Sequence, residues 1–214
     1  MLNLILKDIL IQKKYLLISV LYAFFFAFCF KSNTSMALTM IPTMVPYMLI
    51  LGACGFDDKN KSEIMFNSLP IDRTILVISK YLSSLVFIFM GIFLAFVSTT
   101  PLNFLGFIHM NKLMNLEDIL SITIGISLIV CLYFPFYFKF GYQKSRYFLI
   151  AMFCLFFGFS AILINNIVKA PINFITYLNS QPDWLVTTFI VVITAIIFLV
   201  SILISIKFYI NKDL

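Results

Sequence analysis

Charge is what this sequence has least of. Asp, Glu, Lys and Arg make up 11% of its 214 residues against 62% hydrophobic, and the mean hydropathy is +1.06. A soluble domain is nearer a quarter charged. A water-soluble fold of this length cannot hide so much apolar surface, so the solvent is lipid. In lipid only helices or a closed barrel satisfy the backbone. A barrel needs alternating segments of roughly ten residues; long unbroken apolar runs stand here instead, and they predict a helical multi-span protein.

The other scarcities exclude chemistry. Cys29, Cys54, Cys131 and Cys154 lie inside apolar runs without a Cys-x-x-Cys pair, and read as small buried hydrophobes. His109, the one histidine, stands in a connector with no metal-ligand pattern around it. No glycine-rich phosphate loop is present: Gly141-Tyr-Gln-Lys-Ser lacks the second glycine and with it the backbone nest that holds a phosphate. The chain is therefore expected to carry no catalytic residue, no metal and no nucleotide of its own. The acids Asp8, Asp57, Asp58, Glu63, Asp72, Glu117, Asp118, Asp183 and Asp213 are placed at span ends or in loops. That disfavours a proton-coupled transporter or an intramembrane hydrolase, which need ionisable groups at membrane depth.

What is present is a regular series of apolar runs. Residues 1–14 place Leu2, Ile5, Leu6, Ile9 and Leu10 on one side at helical spacing, as in an interfacial helix lying on the membrane. Six spans follow, at about 15–30, 36–55, 74–98, 117–137, 147–168 and 184–206. Pro42 and Pro46 fall four apart in the second, which is expected to be kinked or locally unwound and to line any path through the protein. The whole chain, 1–214, reads as one membrane domain.

The net charge of +6 is a topology signal here, not a nucleic-acid signal. Lys7, Lys13, Lys14, Lys59, Lys61, Arg73, Lys80, Lys139, Lys144, Arg146, Lys207 and Lys212 fall on one side of a six-span layout; Lys31, Lys112 and Lys169 fall on the other. Both termini and both basic loops are thus expected in the cytoplasm. Trp184 then sits at the outer interface, where an indole is favoured.

The most polar interruption is the stretch 56–81. Asp57, Asp58, Lys59, Lys61 and Glu63 open it, and a short amphipathic turn holds Ile64, Met65 and Phe66. Leu69-Pro70 ends that turn, because proline turns the preceding residue away from helix. A short helix held between two spans can pass a push from a soluble partner into the bilayer. An ordinary solvated loop is the plainer alternative.

The run from Asp57 through Glu63, then Ser68-Leu-Pro-Ile-Asp-Arg73 and Ile78-Ser-Lys-Tyr-Leu82, resembles the permease subunits of bacterial type-2 ABC exporters. It is most similar to the small six-span branch that includes phenol-soluble modulin and antimicrobial-peptide exporter permeases. Phe134-Pro-Phe-Tyr-Phe-Lys-Phe-Gly-Tyr-Gln-Lys-Ser-Arg146 resembles the second cytoplasmic loop of that branch.

The resemblance implies an all-α integral membrane protein with six transmembrane helices behind an N-terminal amphipathic connecting helix, in a bacterial cytoplasmic membrane. It implies a coupling loop at 56–73, with Glu63, Ile64, Met65, Phe66, Asn67, Ser68 and Leu69 as a coupling helix docked on a separate ATPase and Arg73 behind it. Lys139, Gly141, Tyr142, Lys144 and Arg146 would form a second contact. Two ATPase subunits would hold the ATP and Mg, a second permease copy or paralogue would complete the complex, and the cargo would be amphipathic or hydrophobic, peptides foremost. Ser62 is smaller than the residue relatives carry there, which bears on the depth of docking. A membrane scaffold or sensor subunit, or an ion-coupled secondary transporter, are the rival readings.

Overall fold

The computed structural model describes residues 2–30, 34–62, 65–66, 72–104, 115–167 and 183–212. Among them are seven long helices and no strand: α1 Leu2–Ile11, α2 Lys13–Cys29, α3 Thr34–Lys59, α4 Arg73–Phe104, α5 Leu116–Phe140, α6 Tyr142–Ile167 and α7 Asp183–Ile210. On the described residues, α3, α4, α5 and α7 are each long and apolar enough to cross a membrane. The pair α1–α2, bent by 63°, makes a fifth if counted as one span. The expected fifth span, 147–168, corresponds to α6, a 26-residue helix whose distal side chains lie outside those described. His109 and the connectors 105–114 and 168–182 also lie outside the described residues.

The bend between α1 and α2 falls at Gln12. Its side chain is fully buried and its Nε2 donates to the Leu49 carbonyl of α3 at 2.6 Å, alongside Gly52. α1 keeps Leu2, Leu6 and Leu10 outward, Leu2 at 80% exposure, while Asp8 and Gln12 turn into the bundle. This suits an interfacial helix whose apolar stripe meets lipid and whose polar stripe is used internally.

The core is built by two seams, α3 against α4 and α5 against α7, joined where α4 meets α7. In the first seam Gly91 of α4 receives the Pro46 ring, which a Cβ at that position would strike. The Pro42 carbonyl, whose usual donor Pro46 lacks, faces the same spot, 3.2 Å from where the Cβ would stand. The helical assignment of α3 runs unbroken through both prolines. Of the expected kink or local unwinding, the unwinding does not occur, and Gly91 gives the ring room in the seam.

In the second seam α7 turns Ser201, Ser205 and Tyr209 inward at four-residue spacing and leaves Phe189, Val192, Ile196, Leu199 and Leu203 outward. Tyr81 of α4 lies between Phe134 of α5 and Phe198 of α7, edge-on to both at 4.8 and 5.2 Å. Its hydroxyl is 2.7 Å from Ser201 Oγ and 2.8 Å from Ser205 Oγ. Ser201 already donates to the Cys131 carbonyl at 2.7 Å. A hydroxyl has one proton, so Tyr81 donates to Ser201 and accepts from Ser205. One tyrosine thereby ties three helices by polar contacts in an apolar interior.

Candidate functional site: an ion-paired joint beside the 56–73 segment

Four charged side chains meet between α1, α3 and α4. Lys80 Nζ is 3.0 Å from Asp8 Oδ1 and 2.5 Å from Asp57 Oδ2. Lys7 Nζ is 2.9 Å from Asp57 Oδ1 and 3.2 Å from Asp8 Oδ1. The quartet is formally neutral, and Asp8, Asp57 and Lys80 are buried. Ser83 Oγ completes the acceptor side of Asp8 at 2.9 Å, sharing its proton with the Ser79 carbonyl. Burying charges is costly, and it is tolerated only where each is paired and hydrogen-bonded, as here.

Two expectations change at this point. Lys80, counted with the basic residues of one membrane side, is enclosed, and Asp57, expected within the 56–73 loop, is helical. α3 runs on to Lys59 and α4 begins at Arg73, so both residues are helical, inside the packed bundle. The physical reason is mutual neutralisation: either group alone would be driven out to solvent, but together with Asp8 and Lys7 they can be enclosed. Sequence reasoning missed the quartet, yet a signal was there. Lys80 interrupts an apolar run more than a turn inside its span, and such a residue is normally paired.

The quartet touches the start of the candidate coupling segment. Ser62, Met65 and Phe66 are helical, and Phe66 is buried at 8% exposure, its ring 4.6 Å from Lys7 Nζ. Ser62 and Phe66 share a small cavity of about 30 Å³ with Lys7, Asp57 and Lys80. Met65, the next residue round the turn, is 51% exposed. One side chain thus enters the joint while its neighbour is half exposed. The other residues expected in this helix, Glu63, Ile64, Asn67, Ser68 and Leu69, lie outside the described residues.

Arg73 opens α4 and turns to the end of α7, where Tyr209 lines the same small cavity as Ser62 and Phe66. Arg73 Nη1 donates to the carbonyls of Tyr209, Ile210 and Lys212, at 3.4, 3.0 and 3.3 Å. It thereby satisfies the orphan carbonyls at the C-terminus of α7 and complements that end of the helix dipole.

The second expected contact is divided by the fold. Gly141 ends α5 with φ of +82°, a conformation glycine adopts without strain, and α6 starts at once. Tyr142 packs back on Gly55 of α3, where a Cβ would come within 3.0 Å of its ring. Lys139 Nζ lies over the Phe140 and Phe208 rings at 5.1 and 4.8 Å. Lys144 and Arg146 remain exposed. Pro42 and Pro46 are buried in the α3–α4 seam.

These contacts gather α1, the end of α3, the start of α4, the α5–α6 turn and the tail after α7 at one end of the bundle. No group of His, Cys, Asp or Glu among the described residues has the arrangement of a metal site. Helices long and apolar enough to cross a bilayer, with half or more of that apolar length facing outward, define a multi-pass membrane protein. Its family follows from comparison: a family model described as ABC-2 family transporter protein matches residues 3–210, nearly the full length, and the chain belongs to that family. It is a membrane transport subunit, the permease part of an ABC transporter, with an ABC ATPase for partner and no catalysis of its own. No curated protein and no solved structure matches the chain.

Proposed function

We propose that this chain couples ATP hydrolysis on a separate ATPase subunit to export of amphipathic or hydrophobic cargo, peptides of the phenol-soluble modulin or antimicrobial type foremost. The observation that carries the reading is the contrast between Met65 and Phe66, both helical. Phe66 is fixed against Lys7 of the ion-paired joint, and Met65 is half exposed. A push on this pair is delivered to α1, α3 and α4 together through Lys7, Asp57, Lys80 and Asp8. Family membership supplies the ATPase that would deliver it.

In this reading residues 63–69 dock in the ATPase, the turn between α5 and α6 around Gly141 makes the smaller contact, and Arg73 and Tyr142 hold the flanking helices in place. Two ATPases holding ATP and Mg serve two permease chains, both termini face the cytoplasm, and the cargo path follows the interface between the permeases. Amphipathic peptides suit the reading because the chain offers 26 phenylalanines and ten methionines as an adaptable apolar wall.

The test is transport in proteoliposomes containing the chain and its ATPase. ATP-dependent uptake of an amphipathic helical peptide into inside-out vesicles is expected, with uptake lost in Met65→Arg while membrane insertion persists. Uptake that follows a proton gradient and ignores ATP would overturn the proposal. ATP hydrolysis without movement of any peptide would leave the coupling and remove the cargo class.

A further inference from the structure

We propose that the groove between α5 and α6 binds one anionic phospholipid, its acyl chain in the groove and its headgroup on Lys144 and Arg146. The two helices are clamped near their shared turn by Phe136 and Phe148, stacked at 3.7 Å. Beyond the clamp they part around a cavity of about 390 Å³. Its walls are Leu128, Leu132 and Tyr133 from α5 and Phe148, Met152 and Phe153 from α6. This volume lies within the roughly 300–1,000 Å³ of small-molecule sites. Every lining surface is apolar, and Leu132, Met152 and Phe153 are exposed, so the groove opens sideways from the bundle.

Charge selects the occupant. Lys144, Phe148 and Met152 follow one another at four-residue spacing; Arg146, Leu149 and Phe153 follow at three and four. Each basic residue therefore heads one of the two stripes that line the α6 wall. Both are exposed, neither makes an ion pair among the described residues, and residues 139–146 contain no acid. From Lys144 to Phe153 the helix rises about 14 Å, close to half of a hydrocarbon core of about 30 Å. A cation pair about one turn from the mouth of an all-apolar groove, whose far end lies about one leaflet deep, matches a lipid with a negative headgroup.

Native mass spectrometry of the full chain in detergent, titrated with phosphatidylglycerol or phosphatidylcholine of the same acyl chains, tests this. One phosphatidylglycerol per chain is expected to be retained, about 10–30-fold more tightly than phosphatidylcholine, at roughly fivefold per basic residue. Lys144→Gln with Arg146→Gln, both on the surface, is expected to erase the preference. Leu132→Trp, which fills the groove from its exposed rim, is expected to lose both lipids.

Equal retention of the two lipids by the unaltered chain overturns the proposal. So does an unchanged preference in the double variant. Dissociation of a chain dimer by Leu132→Trp with lipid retention intact also overturns it, and assigns the groove to a second copy. The measurement needs no ATPase, so its failure leaves the transport reading untouched.

Discussion

Lys80 holds two buried carboxylates at once, and this makes it the side chain whose loss is felt most. Lys80→Met leaves Asp8 and Asp57 with Lys7 alone, and breaking a buried pair from one side typically costs about 3–5 kcal/mol. A clear fall in thermal melting of the purified protein is expected. Lys80→Met with Asp57→Asn should recover part of it, since contacting charges couple by about 0.5–3 kcal/mol. Strict additivity of the two single losses would show that the pair does not act as a unit. Tyr81→Phe removes the bonds to Ser201 and Ser205 and should cost less, about 0.6–1.7 kcal/mol on the scale of interhelical bonds in membranes. At this scale the sequence was only half legible. Lys80 could be recognised as a cation in an apolar run, but its partners come from positions 8 and 57, which only the packing brings together.

At the scale of elements, the apolar runs announced helices in the right order; the fold lengthens the six expected spans and shortens the expected 1–14 helix to Leu2–Ile11. α3 continues through Asp57 to Lys59, α4 through Pro101 to Phe104, and α6 begins at Tyr142. Charge and proline were read as punctuation, yet a paired charge does not end a helix, and α3 and α4 stay helical through Pro42, Pro46 and Pro101. The α3–α4 seam gives the sharpest test. Gly91→Ala is expected to destabilise by about 1–3 kcal/mol through overpacking against Pro46. Gly125→Ala, with nothing within 4 Å of the new methyl, should be neutral or slightly stabilising, because alanine favours helix by up to about 1 kcal/mol. Equal melting temperatures for the two variants would contradict the close approach. Arg73→Ala should fray the end of α7, seen as faster proteolytic trimming of the tail with the rest of the bundle intact.

The molecule as a whole is organised around one end. Lys7 meets Asp57, Tyr142 meets Gly55, Lys139 meets Phe208, and Arg73 meets the carbonyls after α7. The lysine and arginine count had placed the same four segments on one side of the membrane, so the distribution of charge along the sequence foreshadowed a convergence in space. Family membership was legible in the motifs around 57–82 and 134–146, and the match over 3–210 bears it out at the level of an ABC-2 transporter protein. The internal duties of Arg73, Tyr142 and Lys139 were not, because each depends on a neighbour remote in sequence.

The central claim is that energy enters through the turn whose inner side chain is Phe66 and whose outer one is Met65. Site-directed cross-linking tests it most directly: Met65→Cys in a background without Cys29, Cys54, Cys131 and Cys154, in membranes that also contain the ABC ATPase. A cross-link between Cys at 65 and the ATPase is expected, with its yield changing when ATP is bound, while Cys introduced at Trp184 gives none. An ATPase that cross-links equally to both positions, or to neither while transport continues, would contradict the account.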